Sequence, residues 1–423
     1  MGNSMIKINV LGAGTPAAIT LATIIGIFKL RRQVSKIRIN CIHDPGIPTI
    51  AVGESISPAV IQLICSVVNI TEDALLNALD GTWRYGGVNE WEDGLGQPFT
   101  LVYGQGRKGF LGVGKSHVGM HANSEKLSKF LIDELSRLYP SILTVYQENV
   151  INVEQTRSNV KVTTKSSNTY ESDYVIDCRG TPSEDELNSG DYAFPDFESV
   201  NSVIIFPDFT VYKEQFTQSL FHKNGWMFGV PLQHRKAFGY LYNRDITTHD
   251  AAVDHFKKLV PQVNTDKIRT LNWKHYYRKK AMDNRVLYLG NKLYFYEPAM
   301  GLPLHYYFVL VQRAIGEISG NTDELIKSYL DIANEINFYH TDSVRDKIQD
   351  LIAFNYVGKN NMDSDFWKQI PSSARNRLKS SENFKIFANN IINNKIDTSY
   401  FTHDAPLMKQ YVEGYNIDLK EFL

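Results

Sequence analysis

A tight glycine turn between two apolar segments constrains this chain more than any other feature. Ile6–Leu11 is short and mostly apolar, which predicts a strand, and Gly12–Ala17 follows with the sequence G-A-G-T-P-A. The next fourteen or so residues are apolar enough to form a helix that is covered on most sides. Strand, G-x-G-x-x-A turn and helix in this order indicate a dinucleotide-binding fold.

The residues of the turn have distinct physical roles in such a fold. Gly12 permits the turn, Gly14 lets the backbone approach a pyrophosphate, and Pro16 suits the first helical turn because its missing N–H needs no partner there. The helix start offers N–H groups and a partial positive charge to phosphate. We therefore expect Gly12, Gly14, Thr15, Pro16 and Ala17 to bind a nucleotide. The alternative is a strand-to-helix turn that binds nothing.

Three further strands bear on the identity of the nucleotide. Ile37–Ile42 leads to Asp44, the acid expected to bond a ribose hydroxyl. Tyr174–Gly180 and Arg285–Asn291 are strands that run into glycine turns and return to the same domain. Two such returns resemble FAD-binding monooxygenase-type folds, and a plain NAD domain does not need them. FAD is therefore the predicted cofactor. Its further contacts are expected at Asp177, Gly290 and Asn291.

Charge and composition exclude several other classes. The chain has 45 Lys and Arg residues against 46 Asp and Glu residues, which gives no electrostatic reason to expect nucleic acid or an anionic membrane as partner. Cys41, Cys65 and Cys178 lack the number and spacing of a disulfide framework or a zinc site. The apolar run Thr15–Leu30 is too short to span a bilayer and lacks signal-peptide flanks. We expect a soluble, cytoplasmic protein with no metal.

Five segments follow one another in an order typical of one enzyme family. They are Gly12–Ala17, Ile50–Pro58 (I-A-V-G-E-S-I-S-P), Ser116–Leu131, Asp283–Pro298 and Ser343–Trp367. In this order and spacing, over almost the whole chain, the sequence resembles the FAD-dependent tryptophan halogenases. The resemblance implies an α/β fold with a Rossmann-like FAD-binding domain. It also implies that Gly53, Glu54 and Ser55 line the flavin pocket.

The segment Gly225–Pro231, G-W-M-F-G-V-P, resembles the family signature Trp-x-Trp-x-Ile-Pro. Trp226 and Pro231 match, whereas Phe228 replaces the second Trp and Val230 replaces Ile. In the family this segment keeps organic substrate from the flavin, so that halide is oxidised instead. The resemblance therefore gives Trp226 and Phe228 a catalytic role and Pro231 a substrate contact. The alternative is an ordinary strand with aromatic core residues.

Two positions depart from the family pattern. Asp80–Arg84, D-G-T-W-R, aligns with the family's N-G-A-F-K and places Arg84 at the essential Lys. A guanidinium is always protonated in proteins, so a covalent haloamine is not expected, but Arg84 can donate hydrogen bonds to hypohalous acid. The alternative is a surface or flavin-phosphate contact. Met300 stands at the family's catalytic Glu, where it would face the substrate.

The same alignment concerns the halide. The family's halide-binding N–H groups fall on Leu302 and Pro303, and Pro303 has no N–H. Because chloride is the most strongly hydrated of the candidate halides, the loss of a donor should affect it most. We therefore expect bromide or iodide to be preferred. The alternative is that Pro303 lies in a first helical turn and no halide binds.

The chain divides into a catalytic part and a helical part. Residues 1–320 are predicted to form the FAD-binding and catalytic module, with substrate-side strands interleaved at about 183–280. Residues 321–423 are predicted to form a helical region. In the family this region caps the aromatic substrate, which assigns Phe354 and Trp367 to substrate contact, although aromatics at this spacing are more often core.

The leading functional hypothesis is an FAD-dependent halogenase. It would use FADH2, molecular oxygen and halide, and would act on an electron-rich aromatic small molecule through hypohalous acid. The absence of a second nicotinamide-binding fingerprint favours a separate flavin reductase as partner, and a homo-oligomer is compatible with the sequence. The alternatives are a flavin-dependent hydroxylase or monooxygenase, and a flavin-fold protein without catalytic activity.

Overall fold

A computed structural model describes most of the chain. The described residues are 5–47, 53–103, 118–156, 158–209, 215–263, 265–320, 328–395, 399–400 and 403–423. The predicted segments Ile50–Pro58 and Ser116–Leu131 therefore lie partly outside the described residues. Of Met300 only the backbone is described.

The helices and strands have the following bounds. The strands are β1 Ile6–Leu11, β2 Ile37–His43, β3 Gly53–Ile56, β4 Thr82–Arg84, β5 Gly86–Trp91, β6 Phe99–Val102, β7 Gly119–Asn123, β8 Leu143–Gln147, β9 Val150–Gln155, β10 Val160–Thr164, β11 Thr169–Ser172, β12 Tyr174–Asp177, β13 Tyr192–Ala193, β14 Ser202–Asp208, β15 Phe216–His222, β16 Gly225–Pro231, β17 Lys236–Tyr242, β18 Arg269–Asn272, β19 Tyr276–Arg278, β20 Met282–Asp283, β21 Val286–Tyr288, β22 Tyr294–Phe295, β23 Ser399–Tyr400 and β24 His403–Asp404. The α-helices are α1 Thr15–Leu30, α2 Pro58–Val68, α3 Glu72–Ala78, α4 Ser124–Leu138, α5 Glu184–Leu187, α6 His249–Leu259, α7 Leu302–Gly320, α8 Tyr329–His340, α9 Gln349–Phe354, α10 Asp365–Ser380, α11 Glu382–Ile392 and α12 Ala405–Gly414.

A six-stranded sheet carries the glycine turn. Its order is β20-β21-β12-β1-β2-β8, and all its strands are parallel except β20. Parallel sheets are stable when both faces are covered. Helix α1 packs against α4 and α7 on one side, and the sheet of β9, β10 and β11 covers the other through Leu11, Val160 and Val175.

The local predictions for this part of the chain are confirmed. The strand at Ile6–Leu11 and the helix that follows it have the predicted places, and the second strand extends one residue further, to His43. The predicted returns are β12, which pairs with β1, and β21, which pairs with β12. The fold is the expected α/β, Rossmann-like arrangement.

A seven-stranded sheet forms the second layer of the catalytic part. Its order is β18-β14-β17-β16-β15-β5-β6. Strands β5 and β6 therefore belong to this sheet although they lie outside residues 183–280, where the substrate-side strands were predicted. Alternate residues of a strand face opposite sides of the sheet. On β14, Ile204 and Phe206 pack with Phe256 of α6, whereas Val203 and Ile205 face a large cavity.

The C-terminal region is mostly helical. Helices α8 to α12 fill it, together with a π-helical stretch at Thr341–Ile348 and the hairpin of β23 and β24. Within the described residues, no single helix is long and apolar enough to cross a membrane; α2 and α3, bent by 95° between them, meet the length and composition criteria only as a pair.

Gly12 provides a test of the glycine turn. Its φ is +104°, and a Cβ there would stand 2.9 Å from the carbonyl oxygen of Cys178. We expect Gly12→Ala to lower the free energy of unfolding by about 1–3 kcal/mol, because the conformation and the contact both exclude a side chain. Urea denaturation measures this.

Gly316→Ala is the matched control. Gly316 lies inside α7, and no atom stands within 4 Å of the position that a Cβ would take there. The substitution should therefore raise the free energy of unfolding by about 0.5–1 kcal/mol. Equal effects of the two substitutions would contradict the role given to Gly12.

Candidate active site

One large cavity lies between the two sheets and the C-terminal helices. Its volume is about 1150 Å³. It is lined by the glycine turn, by β3, by the inner face of the seven-stranded sheet and by residues near α12. The lining includes Gly12, Gly14, Thr15, Pro16, Asp44, Gly53, Glu54, Ser55, Arg84, Tyr103, Asn149, Arg179, Thr217, Phe221, Trp226, Phe228, Val230, Asn291, Glu297, Gly301, Pro303, Tyr411 and Tyr415.

The glycine turn opens into this cavity. The N–H of Gly12 donates to the carbonyl of Ile42 at 2.9 Å, which ties the turn to β2. Gly14 precedes α1 and Pro16 lies in its first turn. The start of a 16-residue helix therefore faces the cavity with N–H groups and a positive dipole end. Ala17 is fully buried behind the turn and does not line the cavity.

Asp44 lies at the carboxyl end of β2 and is held by two hydrogen bonds. Its Oδ1 accepts from the N–H of Gly46 at 2.8 Å, and its Oδ2 accepts from Nδ2 of Asn149 at 2.6 Å. The carboxylate is therefore fixed at the edge of the cavity where the six-stranded sheet ends. A diol is the ligand that such a carboxylate can bind in a bidentate way.

Two predicted cofactor residues besides Ala17 do not line the cavity. Asp177 is buried and is bound by Arg179, with Nη2 to Oδ2 at 2.7 Å and Nε to Oδ1 at 2.9 Å. Gly290 has φ +62°, and a Cβ there would stand 3.0 Å from Cγ of Pro16, so this glycine serves packing. Asn291 and Arg179 line the cavity instead. Sequence reasoning missed Arg179, although it follows directly from the D-C-R-G motif.

Glu54 on β3 lies beside the helix start. Its Oε1 accepts a hydrogen bond from Oγ1 of Thr15 at 3.1 Å. Its Oε2 is buried and has no hydrogen-bond partner among the described residues. Burial raises the pKa of Glu54 to about 7, and the Thr15 bond only partly opposes this rise. A buried carboxyl oxygen without a partner fits a bound group that presents hydrogen-bond donors, as a flavin does.

Arg84 lies in the cavity at the centre of a polar network. Its Nε donates to Oγ1 of Thr217 at 2.8 Å and its Nη2 donates to the hydroxyl of Tyr103 at 2.7 Å. Nη1 lies 3.8 Å from the position that a Cβ of Gly301 would take. Sequence reasoning found Arg84 but missed Thr217 on β15 and Tyr103 after β6, because no sequence pattern links either residue to Arg84.

His121 completes this network. Its Nε2 lies 2.9 Å from Oγ1 of Thr217 and its Nδ1 lies 3.0 Å from Oγ1 of Thr82. Burial, and secondarily the charge of Arg84, hold the pKa of His121 well below its usual value. The imidazole is therefore neutral at physiological pH, and Arg84 supplies the positive charge.

Trp226 and Phe228 lie on the cavity face of β16. Residues two apart on a strand share a face, and the two ring centroids are 6.2 Å apart. Gly239 on the neighbouring strand leaves room for Phe228, because a Cβ there would overlap the ring. Trp226, Phe228 and Arg84 thus line the same cavity, as the family resemblance implied.

Pro231 is not a lining residue. Five positions along β16 from Trp226, it lies out of phase with that ring, and its carbonyl accepts a hydrogen bond from Oγ1 of Thr82 at 2.8 Å. Val230 lines the cavity instead. It packs on Gly53, where a Cβ would stand 2.5 Å from Cγ1 of Val230, so β3 approaches β16 closely.

The start of α7 borders the cavity next to Arg84. Gly301 has φ +66° and ends a short 3-10 turn, and α7 begins at Leu302. Pro303 is therefore the second residue of the helix, within its first turn. Leu302 is buried away from the cavity, whereas Gly301 and Pro303 line it.

The two aromatic residues assigned to substrate contact lie elsewhere. Phe354 is fully buried and packs on Phe384 at 5.9 Å and on Tyr415 at 6.0 Å between ring centroids. Trp367 donates its indole N–H to the carbonyl of His222 at 2.8 Å and borders a separate cavity of about 630 Å³. Both rings are buried in the packing between the C-terminal helices and their neighbours. Among the described residues of the C-terminal region, Tyr411 and Tyr415 are the aromatic residues that line the large cavity.

Glu297 is a lining residue that sequence reasoning did not assign. It follows β22, it is only 4% exposed, and burial raises its pKa to about 7. Its Glu-Pro step was visible as part of the family pattern, but the partners that make it distinctive come from remote parts of the chain. They are Ser199 and Tyr356.

Known proteins share both the sequence pattern and the fold. The tryptophan halogenase family model matches residues 7–137 and 112–406 of this chain. A tryptophan halogenase from Shewanella frigidimarina NCIMB 400 is similar, with 16% identity, TM-score 0.79 and coverage of 98% of this chain and 89% of that chain. BrvH, a flavin-dependent halogenase from Brevundimonas sp. BAL3, has 15% identity, TM-score 0.79 and coverages of 98% and 90%. Xcc4156, a flavin-dependent halogenase from Xanthomonas campestris, has 18% identity, TM-score 0.78 and coverages of 98% and 90%.

At such identities the solved structures establish the fold, and the family model extends over nearly the whole chain. The glycine turn and the polar and aromatic lining of one cavity agree with both findings. The chain therefore belongs to the tryptophan halogenase family and is an enzyme of the flavin-dependent halogenase class.

Proposed function

We propose that the enzyme uses FADH2, molecular oxygen and halide to halogenate an electron-rich aromatic small molecule through hypohalous acid. One observation carries this proposal. The glycine turn, the Trp226–Phe228 pair and the Arg84 guanidinium all border a single cavity, so an oxidant formed at one end has a protected route to the other.

The residues present fit a flavin dinucleotide. The start of α1 at Gly12 and Gly14 would hold the pyrophosphate, Asp44 the ribose, and Glu54 with Asn291 the remaining polar groups. The buried Oε2 of Glu54, which lacks a partner among the described residues, would gain one. Reduced FAD bound there would supply the electrons that activate oxygen. The protein's own part is to orient these groups and exclude water.

Arg84 would hold the oxidised halogen species by hydrogen bonding. Two of its nitrogens are engaged by Thr217 and Tyr103, which fixes the plane of the guanidinium. Nη1 has no hydrogen bond among the described residues and lies near Gly301, at the start of α7. Because a guanidinium stays protonated, Arg84 would orient hypohalous acid and not be halogenated itself.

The start of α7 supports a preference for bromide or iodide over chloride. Pro303 lies in the first turn and contributes no N–H. An anion there would have Arg84 and the helix dipole but one donor fewer. Chloride, which is the most strongly hydrated of the three, would recover the least of its lost hydration.

The proposed substrate is a free aromatic molecule. Phe221, Trp226, Tyr411 and Tyr415 line the cavity. The ring centroids of Phe221 and Tyr415 are 6.0 Å apart and those of Tyr411 and Tyr415 are 5.9 Å apart, and aromatic ligands bind well against such rings. A separate flavin reductase would supply the reduced cofactor, and we place the reaction in the cytoplasm. Hydroxylated product formed without halide would instead select a flavin-dependent hydroxylase.

The halide preference can be tested directly by competition. With a flavin reductase, NADH, FAD and equal bromide and chloride, we expect brominated product to exceed chlorinated product by about tenfold. This ratio corresponds to about 1.4 kcal/mol, a fraction of the roughly 1.5–3 kcal/mol of a hydrogen bond to a charged group, because both halides lose the donor and chloride loses more. Mass spectrometry of phenols and indoles gives the ratio from isotope patterns. Chloride incorporated at least as fast as bromide would reject the preference.

Pro303→Ala restores an N–H at the start of α7 and should narrow that ratio. Pro371, which lies inside α10 far along the chain from this site, provides the matched control. Pro371→Ala should leave the ratio unchanged. A ratio that responds equally to both substitutions would show that the missing donor does not set the preference.

Arg84 variants test the proposed role of the guanidinium. We expect Arg84→Ala to lower kcat for halogenation by about 10²-fold, because a preorganised donor to the reacting group is lost. Arg84→Lys should fall between Ala and wild type, since it keeps the charge but lacks the planar guanidinium that donates to Thr217 and Tyr103 in one fixed geometry. Flavin binding, followed by absorbance, should persist in both. Arg269→Ala, on the exposed strand β18, is the control and should leave halogenation unchanged. Unchanged halogenation in both Arg84 variants would refute the role proposed for Arg84.

A further inference from the structure

Glu297 is anchored at one oxygen and open at the other. Its Oε2 accepts hydrogen bonds from the hydroxyl of Ser199 and from the hydroxyl of Tyr356, the latter at 2.7 Å. Its Oε1 is buried and has no hydrogen-bond partner among the described residues. The carboxyl group is therefore fixed in place with one acceptor unsatisfied.

The indole of Trp226 has an unsatisfied donor, where Glu297 has an unsatisfied acceptor. Its N–H is also buried and lacks a partner among the described residues. Trp226 and Glu297 both line the large cavity. The backbone segments beside them are close together, since a Cβ at Gly225, the neighbour of Trp226, would stand 3.2 Å from Cγ1 of Val200, the neighbour of Ser199. The indole N–H and Oε1 of Glu297 nevertheless have no hydrogen-bond partner among the described residues. A buried donor and a buried acceptor that are neighbours gain by turning toward each other.

Among the described residues, no charged side chain neutralises Glu297. The groups that act on it are the hydroxyl of Ser199, the hydroxyl of Tyr356 and the indole of Trp226. Burial raises the pKa values of Tyr356 and Tyr415, which face it, so these phenols stay protonated. His275, which contacts the adjoining Tyr296, has its pKa lowered to about 4 by burial.

We propose that Glu297 is a positioning residue for Trp226: its carboxylate, held by Ser199 and Tyr356, sets the orientation of the indole in the aromatic wall of the cavity. The significance of that wall for halogenation rests on the proposed function, whereas the influence of Glu297 on the indole does not. Glu297, in the segment that follows β22, thereby controls the orientation of a ring on β16.

The interaction between Glu297 and Trp226 depends on pH in a defined direction. The pKa of Glu297 is raised to about 7 because burial disfavours the charged form. The folded protein therefore holds this proton at pH values where the unfolded chain has lost it. The resulting stability is present below pH 4.5 and is lost as the pH rises through about 7. The ionised carboxylate, present above about pH 7, is the stronger acceptor for the indole N–H.

Near-ultraviolet circular dichroism of the cofactor-free protein tests the proposal. The difference between wild type and Trp226→Phe isolates the signal of this indole. We expect the signal to change between about pH 5.5 and about pH 8.5 with a midpoint near 7, and Glu297→Gln to abolish that transition. Glu54→Gln removes the other cavity carboxyl whose pKa is raised to about 7, and the transition should survive it. A Trp226 signal without a transition in wild type, or the same transition in Glu297→Gln, would overturn the proposal.

Tyr356→Phe covers the case in which Glu297→Gln fails to fold. Loss of one donor to the carboxylate should move the midpoint to higher pH, because the ionised form loses a hydrogen bond. An unmoved midpoint would count against the proposal. Since no cofactor or turnover is needed, failure of the halogenation assay leaves these outcomes interpretable, and a pH-dependent Trp226 signal stands apart from the identity of the substrate.

Discussion

The close approach of backbone segments around the glycine turn is the constraint on which the site depends. Gly12 lies against the carbonyl of Cys178, and Gly290 lies against Pro16. These contacts bring the start of α1 to the edge of the parallel sheet with its N–H groups facing the cavity. Gly53 makes a similar approach to Val230, so β3 brings the nucleotide-binding layer close to the seven-stranded sheet. Any side chain at these glycines would separate the surfaces that form the cavity.

Local pattern was sufficient to predict the fold of the nucleotide-binding part. Strand, turn and helix at Ile6–Leu30 are written in consecutive residues, and the apolar strands β12 and β21 are equally local signals. Asp44 was assigned because it stands at the end of a recognisable strand, and Arg84 was assigned from the family resemblance. Their hydrogen-bond partners Asn149 and Thr217 lie more than 100 residues away, and a single sequence contains no signal for such contacts.

The assigned residues that lie outside the lining of the large cavity share one physical cause. Phe354, Trp367 and Pro231 were assigned by alignment to family positions, and their orientation was then decided by tertiary packing. Phe354 entered the core of the C-terminal helices, and Pro231 fell on the face of β16 opposite to Trp226. Glu297 was passed over for the converse reason, because a charged residue in an apolar run is informative only once its burial and its partners are known.

The aromatic wall is built from two chemically different rings. Trp226 carries an N–H beside a titratable carboxyl, whereas Phe228 rests on the bare backbone of Gly239 and has no polar atom. A change of pH can therefore act on Trp226, whereas Phe228 responds only to packing against its neighbours. The aromatic wall thus responds to pH at one ring and not at the other. A different side chain in place of Phe228 would change the shape of the wall without changing its response to pH.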